Sequence, residues 1–246
     1  MVLDDGEGAE ISGSRVELFD LESGRALEPR PRHIEGHSIA APTKGSYPHY
    51  LLKEIHEQPI VLGGLQAKFA NEAEPLAAAI AGARRVYVVG CGTAYHAALV
   101  GSRFLADVAG IEAIPVIGSE MAAHERFIDE STVVVYLSQS GETVDLLQSL
   151  DSVRRKGGTT AALVNVPQSS LHRRVDLPFL LEAGAEISVV STKAFVAKVA
   201  CVGLLAYRLA GRLSEGQELL RMATHELERV LSSQSASSEL DAVVGI

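Results

Sequence analysis

The chain has 246 residues, of which 47% are hydrophobic and 22% charged, and its formal net charge is −9. This composition predicts a globular protein with one substantial core and an appendage. The acidic charge argues against nucleic-acid binding, which relies on a basic face. The apolar stretches are strand-length or interrupted by charge, so we expect no membrane span. The acidic residues within positions 4–10 predict that no signal peptide is present.

The two cysteines predict neither a metal site nor a disulfide framework. Cys91 and Cys201 lie far apart and form no cluster with metal-ligand spacing. Cys201 falls in an apolar helical pattern and is expected in the core, whereas Cys91 lies at a strand-to-helix turn and is expected to be partly exposed. Without a predicted leader or membrane span we expect a cytoplasmic protein, and the sequence indicates no cofactor.

The first 45 residues are predicted to be an appendage without enough apolar residues for a core of its own. Residues 16–20 are typical of a strand, Ser23-Gly24 of a turn, and a Pro-, His- and Gly-containing linker continues to about Gly45. A helix is predicted to start at about Tyr47, and a further, alanine-rich helix is predicted over residues 66–80.

From about Arg84 to Leu209, strands and helices alternate with short turns, which is typical of an α/β fold with a doubly wound parallel sheet flanked by helices. We predict five strands, at residues 86–89, 113–117, 132–137, 160–164 and 177–181. Right-handed crossovers place the carboxyl ends of these strands at one edge of the sheet, where ligands bind in such folds. Residues 214–232 predict an amphipathic helix, followed by a frayed tail.

Three turns rich in small and hydroxyl residues are predicted at this edge. Residues 90–95 follow the first strand and open a helix that runs to Ala109 and stops at Gly110. Residues 138–143 follow the buried strand at 132–137. Residues 188–193 precede a long apolar helix, which Ser191 or Thr192 is predicted to cap. Together the three turns predict a pocket.

The turn at residues 138–143, Ser-Gln-Ser-Gly-Glu-Thr, is predicted to be a phosphate cradle. Its hydroxyl groups, its amide and the N–H groups of a first helical turn can converge on an anion, and Gly141 leaves the backbone unobstructed. The helix macrodipole favours a negative ligand without any lysine or arginine in the turn. The alternative is an ordinary capped turn, but the two neighbouring hydroxyl-rich turns favour the phosphate site.

Four titratable residues near these turns are candidates for chemistry in the predicted pocket. Glu142 is expected to point away from the site, because its carboxylate would repel a phosphate and the helix dipole alone explains its position. Glu186 precedes the third turn and is left open as a pocket residue. His96 is interpreted as structural or solvent-facing, and Lys193 is expected to extend its ammonium group to water.

A dinucleotide site is a further alternative for the first turn. Gly90-x-Gly92 follows a strand, and Glu112 lies about twenty residues further on, as such a fingerprint requires. However, Tyr95 stands where a third small residue should allow close helix packing, and Glu112 begins its strand instead of ending it. We therefore disfavour a nicotinamide cofactor.

These motifs resemble a known family, the isomerising glutamine:fructose-6-phosphate aminotransferases, also called glucosamine-6-phosphate synthases. The resemblance covers nearly the whole chain and rests on the motifs at residues 47–59, 91–93, 138–143, 165–167 and 191–195, in the family's order. It implies that residues 1–45 are the end of a glutaminase domain with its linker. It further implies that residues 46–213 are the first sugar isomerase (SIS) domain, and that residues 214–246 are a C-terminal helix and tail.

The resemblance also implies a ligand and its contacts. In this family, ammonia from glutamine converts fructose 6-phosphate to glucosamine 6-phosphate. The implied phosphate contacts are Ser138, Gln139, Ser140 and Thr143. The remaining implied substrate contacts are Gly92, Thr93, Val189 and Ser191. Ala94 and Val190 depart from the family, which commonly has a serine and an alanine there, so one sugar-facing hydroxyl is lost and the pocket is narrowed.

The family's other working parts are not found in this sequence. Its glutaminase nucleophile is an N-terminal cysteine, and its base, ring-opening histidine and lysine belong to a second SIS domain. The resemblance thus implies a chain that binds fructose 6-phosphate, pairs as a homodimer and does not catalyse alone. Two alternatives remain. One is a stand-alone sugar-phosphate isomerase, acting as a homo-oligomer with Glu142 or Glu186 as base. The other is a sugar-phosphate sensor, disfavoured because no DNA-binding helix pair or basic face is visible.

Overall fold

The computed structural model describes Leu3 and residues 6–13, 15–28 and 43–233, with Asn71 described by its backbone alone. Most of the predicted linker and the predicted frayed tail lie outside the described residues. The chain divides into two compact units, Met1–Ala41 and Pro42–Ile246. The assignment of the first residues to the end of a glutaminase domain stays a prediction.

The first unit contains a three-stranded antiparallel sheet. Its strands, in spatial order, are β1 (Glu7–Ser12), β2 (Arg15–Asp20) and β3 (Ala26–Leu27). The strand predicted at residues 16–20 is confirmed as β2, whereas β1 and β3 were not predicted. The carboxylate of Asp20 organises the turn after β2, because it accepts hydrogen bonds from the N–H group of Ser23 at 2.7 Å and from its hydroxyl at 2.5 Å.

The second unit is built on a five-stranded sheet in the order β5-β4-β6-β7-β8, and all of its pairings are parallel. Its strands are β4 (Arg85–Gly90), β5 (Ala113–Ile117), β6 (Thr132–Ser138), β7 (Thr159–Val164) and β8 (Leu177–Leu180). Each confirms a predicted strand to within one residue at either end. The chain runs outward from β4 to β5 and then returns to β6, so the strand order reverses between β4 and β6.

Helices cover both faces of this sheet. They are α1 (Tyr50–Glu72), α2 (Glu74–Gly82), α3 (Thr93–Ala109), α4 (Val144–Arg155), α5 (Ser170–Arg174), α6 (Lys193–Leu209) and α7 (Leu213–Ser232), with a 3₁₀ segment at Gly118–Phe127. The core on one face includes buried residues of α1, α2, α3 and α6, and the core on the other includes residues of the 3₁₀ segment, α4 and α5. Helices that follow β4 and β6 therefore lie on opposite faces, which leaves a crevice at their carboxyl ends.

Alternation along β6 explains why its sequence is a continuous apolar run. Val133 and Val135 belong to the core on the α3–α6 face, whereas Val134 and Tyr136 belong to the core on the α4 face. All seven residues of β6 are buried. A strand that is covered on both faces has no polar side, as is usual in parallel sheets.

The helix predicted over residues 66–80 is wrong in its bounds. A single helix, α1, runs from Tyr50 to Glu72, passing through Pro59, and a second helix begins at Glu74. Ala73 between them is fully buried. Pro75 explains the break: its nitrogen carries no hydrogen to continue the bonding of α1, whereas the first turn of a new helix tolerates it. The helix predicted to run from residues 90–95 to Ala109, the apolar helix predicted after residues 188–193 and the helix predicted over residues 214–232 are confirmed as α3, α6 and α7.

Within the described part of the chain, no helix combines the length and the apolar character that crossing a bilayer requires.

Candidate functional site

A polar cavity of about 240 Å³ lies at the carboxyl edge of the parallel sheet. Three parts of the chain line it: the turn from β4 into α3, the turn from β6 into α4, and the chain leading into α6. We call the second of these the cradle turn (residues 138–143) and the third the capping segment (residues 186–193). Seven of the eight predicted site residues line this cavity, namely Thr93, Ser138, Gln139, Ser140, Thr143, Val189 and Ser191.

The eighth predicted residue, Gly92, is not part of the cavity wall but shapes the turn beside it. It precedes α3 with a φ of 56°, a conformation that favours glycine. Helix α3 then begins at Thr93 and ends at Ala109, where Gly110 adopts the left-handed conformation with a φ of 66°. Gly92 thus fixes where α3 begins beside the cavity, and Gly110 fixes where the helix ends.

The cradle turn is braced by its own hydroxyl groups. Ser138 Oγ accepts a hydrogen bond from the N–H group of Gly141 at 2.9 Å, and Ser140 Oγ accepts one from the N–H group of Glu142 at 3.2 Å. Both serines act as acceptors in these bonds, so each keeps an O–H group to donate to a ligand. Thr143 precedes α4 without a side-chain capping bond, and it lines the cavity.

Gly141 is needed in the cradle turn for packing and backbone conformation. Its φ is 70°, and a Cβ atom at this position would lie 2.1 Å from Ser169 Oγ. Any side chain would therefore collide with the loop before α5 as well as adopt an unfavourable backbone conformation. The sequence predicted a glycine that leaves an anion unobstructed, and the structure adds this neighbour behind the turn.

The capping segment departs from prediction, because neither Ser191 nor Thr192 caps α6 with its side chain. Glu186 does so instead. Its Oε1 atom accepts from the N–H groups of Thr192 at 2.8 Å and Ala194 at 3.4 Å, and its Oε2 atom accepts from the hydroxyl of Ser191 at 3.1 Å. A carboxylate is a stronger acceptor than a hydroxyl and is favoured by the positive end of the helix dipole. Glu186 also lines the cavity, which the sequence left open.

Glu54 of α1, which sequence reasoning missed, accepts hydrogen bonds from the capping segment and holds it in place. Its Oε1 atom accepts hydrogen bonds from the N–H groups of Ile187 at 2.5 Å and Ser188 at 3.2 Å, and its Oε2 atom accepts from the hydroxyl of Ser188. Glu54 is 1% exposed. The signal was available, since Glu54 belongs to one of the motifs that carried the family resemblance, but the sequence alone does not pair it with a segment more than 130 residues away.

Lys198 of α6 is a second cavity residue that the sequence analysis missed. It lines the cavity and is fully buried. Burial lowers the pKa of its ammonium group to about 8, against an opposing effect from the negative charge of Glu186. Lys198 lies four residues after Ala194 and four before Val202, both of them buried, so it occupies the apolar stripe of an otherwise hydrophobic helix. A charged residue within this apolar stripe is the sequence signal that identifies Lys198.

The prediction that the ammonium group of Lys193 extends to water is wrong. Lys193 is 3% exposed, and its Nζ atom lies 2.6 Å from Glu57 Oε2 on α1. Burial alone would raise the pKa of Glu57, but hydrogen bonds from Lys193 and Lys53 lower it below its ordinary value. These three residues line a separate cavity of about 430 Å³. Helix α1 covers the start of α6, so the lysine finds a carboxylate there instead of solvent.

The remaining candidates lie where they were expected. Glu142 is confirmed to point away, since its Oε1 atom accepts from the N–H group of Ser170 at 2.7 Å. His96 is exposed. Cys91 is half-buried and lines the cavity, and burial raises the pKa of its thiol. Cys201 is buried, and the two cysteines form no disulfide. Within the described ranges no cluster of three or more metal-ligating side chains occurs.

The fold and this cavity can be compared with known proteins. A family model described as "SIS domain" matches residues 79–208, which include all three parts of the chain that line the cavity. The chain belongs to the SIS domain family. The match spans the five parallel strands together with α3 and nearly all of α6.

Relatives of this SIS domain bear the name implied by the motif resemblance. The chain is 37% identical to glutamine–fructose-6-phosphate aminotransferase (isomerizing) of Aeropyrum pernix, over 94% of this chain and 38% of that protein. The enzyme of the same name from Bacillus spizizenii is 40% identical over 80% of this chain and 36% of its own length. The chain thus spans less than two fifths of these relatives. The resemblance seen in the motifs is confirmed.

A solved structure agrees with this likeness. The C-terminal domain of glucosamine-fructose-6-phosphate aminotransferase from Francisella tularensis superimposes with a TM-score of 0.67 at 28% identity, covering 82% of this chain and 59% of that one. The α/β fold with a five-stranded parallel sheet is therefore the SIS fold.

The two positions that depart from the family motif differ in their relation to the cavity. Ala94 is 6% exposed and lines the cavity wall, so a methyl group stands where a serine would offer a hydroxyl. Val190 is 55% exposed and is not part of the wall, so it does not narrow the pocket as predicted. Its neighbour Val189 lies at the rim with its side chain in solvent.

Proposed function

We propose that this SIS domain binds fructose 6-phosphate in the cavity at the carboxyl edge of its parallel sheet. The observation that carries the proposal is that the cradle turn and the capping segment, predicted separately from the sequence, line one polar cavity. The proposed phosphate contacts are Ser138, Gln139, Ser140 and Thr143. The proposed contacts for the rest of the ligand are Thr93, Val189 and Ser191, with Gly92 shaping the turn.

The distribution of charge in the cavity supports this orientation. The cradle turn offers hydroxyl and amide donors at the start of α4, where the helix dipole favours an anion. Glu186 lies in the capping segment, and its carboxylate is engaged by three hydrogen bonds. A phosphate is therefore better placed in the cradle turn, with the neutral sugar directed toward the capping segment.

We further propose that the chain supplies the fructose 6-phosphate site of a glutamine–fructose-6-phosphate aminotransferase, in which ammonia from glutamine converts this ketose phosphate to glucosamine 6-phosphate. The similarity over 94% of the chain supports this assignment. A homodimer formed through SIS domains and a cytoplasmic location belong to the same proposal. Two free thiols fit a reducing compartment.

Titration of the 246-residue chain with fructose 6-phosphate tests the proposal. We expect a saturable heat of binding, and we expect Ser140→Ala to weaken binding by about tenfold or more, because a hydrogen bond to a charged group is lost. Ser102→Ala is the matched control, since Ser102 is a buried serine of α3 outside the cavity whose hydroxyl has no partner in the described residues. Absence of binding to the unmodified chain would contradict the proposal, as would equal affinity of both variants.

A stand-alone aldose–ketose isomerase is the second candidate, because Glu186 brings a carboxylate into the cavity. Both of its oxygens already accept hydrogen bonds that hold α6, and Glu142, the other proposed base, contacts Ser170 instead of the cavity. We therefore favour binding without proton abstraction. Incubation with fructose 6-phosphate in deuterated water distinguishes the two, since only an isomerase exchanges the proton on C1 of the sugar.

A further inference from the structure

Lys198 carries a charge that the protein itself does not neutralise by direct contact. Its side chain is fully buried. Within the part of the chain that the structure describes, no hydrogen bond or salt bridge reaches its ammonium group. The charge that acts on it is Glu186, whose oxygens are occupied by the backbone of α6 and by Ser191. Most buried ammonium groups are paired, so this one needs an explanation.

Lys198 lies where α6 packs closely against α3 and borders the cavity. Helices α3 and α6 approach closely one turn later, where a Cβ atom on Gly101 would lie 2.7 Å from Val202 Cγ1. Lys198 lines the cavity. Ala94 of α3 lines the same cavity and presents a methyl group, which accepts no hydrogen bond. Lys198 is thus a fully buried residue of a closely packed helix and at the same time part of the cavity wall.

Lys193 on the same helix is a buried lysine that is paired with a carboxylate of the protein. It is almost as buried as Lys198, but its Nζ atom lies 2.6 Å from Glu57 Oε2. A buried unpaired charge is costly, and an apolar residue of similar size is often at least as stable. Lys198 has no such carboxylate, so we expect a bound molecule to provide its counter-charge. Proteins commonly accept a loss of stability of this kind where function requires it.

We propose that Lys198 is a ligand-binding residue of this cavity and that its ammonium group pairs with the phosphate dianion of the bound sugar phosphate. This inference rests on the proposed function and adds to it the one cationic contact in a pocket otherwise made of neutral donors and Glu186. The ion pair would form on binding, so that the ligand completes the charge balance of the protein.

Proton uptake on binding is a direct consequence of this pairing. Before binding, the pKa of Lys198 is about 8 because of burial, so above that pH the group is largely neutral. A dianion at contact distance favours the ammonium form and raises the pKa. The phosphate itself does not contribute, because its second pKa is about 6. Near pH 8.5 the protein therefore takes up a proton when the ligand binds.

Other titratable groups around Lys198 are already engaged or remain neutral. Glu186 caps α6, and Cys91 beside α3 stays a thiol because burial raises its pKa. On α1, Glu54 is held by Ser188 and Glu57 by Lys193. Helix α2 meets α6 at its far end, where Glu74 pairs with Arg208, and α7 meets it near Tyr207. None of these groups replaces Lys198 as the source of the expected proton uptake.

The experiment is calorimetric titration with fructose 6-phosphate near pH 8.5, in buffers of different ionisation enthalpy. We expect the unmodified chain to take up a substantial fraction of one proton. We expect Lys198→Met to bind about tenfold or more weakly, since a charge-assisted bond is lost, and to take up none. Lys156→Met is the matched control for net charge, because Lys156 is exposed after α4; it should retain both the affinity and the proton uptake.

The outcomes separate this inference from the proposed function. If the unmodified chain does not bind fructose 6-phosphate, the proposed function fails. If it binds without proton uptake, or if Lys198→Met binds as tightly as the unmodified chain, the role of Lys198 is overturned while the proposed function stands. The uptake measurement needs only the unmodified chain, so it decides the question even if the variant fails to fold. Without ligand, we expect Lys198→Met to melt at a higher temperature, because it removes an unpaired buried charge.

Discussion

The cradle turn and the capping segment line one cavity, but they are held in place by different parts of the chain. The cradle turn is braced by Ser138 and Ser140, which accept bonds from backbone groups two or three residues away. The loop before α5 also holds it, because the N–H groups of Ser170 and Leu171 donate to Glu142 Oε1 and to the carbonyl oxygen of Gly141. The capping segment is also fixed from a distance, by Glu54 of α1. The cradle turn depends on its own residues and on the loop before α5, whereas the capping segment depends on the packing of helix α1 against it. The phosphate end of the site should therefore be the more rigid one.

The largest effect is expected from breaking the cradle turn at Gly141. Gly141→Ala places a Cβ atom 2.1 Å from Ser169 Oγ at a φ of 70°, and we expect the free energy of unfolding to fall by about 4 kcal/mol from strain and overlap together. Gly211→Ala is a matched control, since Gly211 has the same φ of 70° with no atom within 4 Å of the added Cβ. It should cost about 1 kcal/mol. Denaturant unfolding of both variants measures the difference, and equal losses would refute the overlap.

A somewhat smaller effect is expected from releasing the capping segment. Glu54→Ala removes the acceptor of three hydrogen bonds and leaves two N–H groups of the segment without it, so we expect a loss of about 3 kcal/mol in stability. Fructose 6-phosphate affinity should fall as well, although Glu54 does not line the cavity. Glu72→Ala, on the exposed end of the same helix, is the control for loss of a glutamate. Unchanged ligand affinity in Glu54→Ala would mean that the capping segment does not depend on α1.

The same contrast explains what was predictable from the sequence. The five strands were found because burial on both faces of a parallel sheet leaves continuous apolar runs. The cradle turn was found because its strand, small residues and following helix are contiguous. The cap of α6 was assigned to the wrong side chain, since Ser191 and Thr192 stand at the helix start whereas the acceptor, Glu186, lies six residues before Thr192. Glu54 was missed because its partners are distant in sequence.

The two lysines of α6 mark the limit of local reasoning in another way. Lys193 and Lys198 are both buried, yet nothing in the helix sequence distinguishes the one that finds Glu57 from the one that faces the cavity. Periodicity would have shown that Lys198 lies in the apolar stripe of α6, but the choice between a carboxylate and a ligand as its partner depends on α1 and on the cradle turn. Pairing in three dimensions decides the role of each charge.

The smallest effect is the pH-dependent contribution of Lys198 on α6 to the free energy of unfolding. The pKa of Lys198 in the folded chain is about 8, below the value of about 10.4 for an exposed lysine. Between these values the unfolded chain binds more protons than the folded one, so the contribution of Lys198 to stability rises with pH; below both values it is constant and unfavourable. We compare the free energy of unfolding of the unmodified chain with that of Lys198→Met. Relative to the variant, the unmodified chain should become more stable by about 2 kcal/mol between about pH 7 and about pH 9.5.

Lys198→Met is the necessary reference for that measurement, because other buried groups act in the opposite direction. Burial raises the pKa values of Tyr136 and Cys201, so their deprotonation favours the unfolded chain as pH rises, equally in both proteins. The difference between the two unfolding free energies therefore isolates Lys198. A difference that stays constant over this range would show that the ammonium group of Lys198 is paired before any ligand arrives.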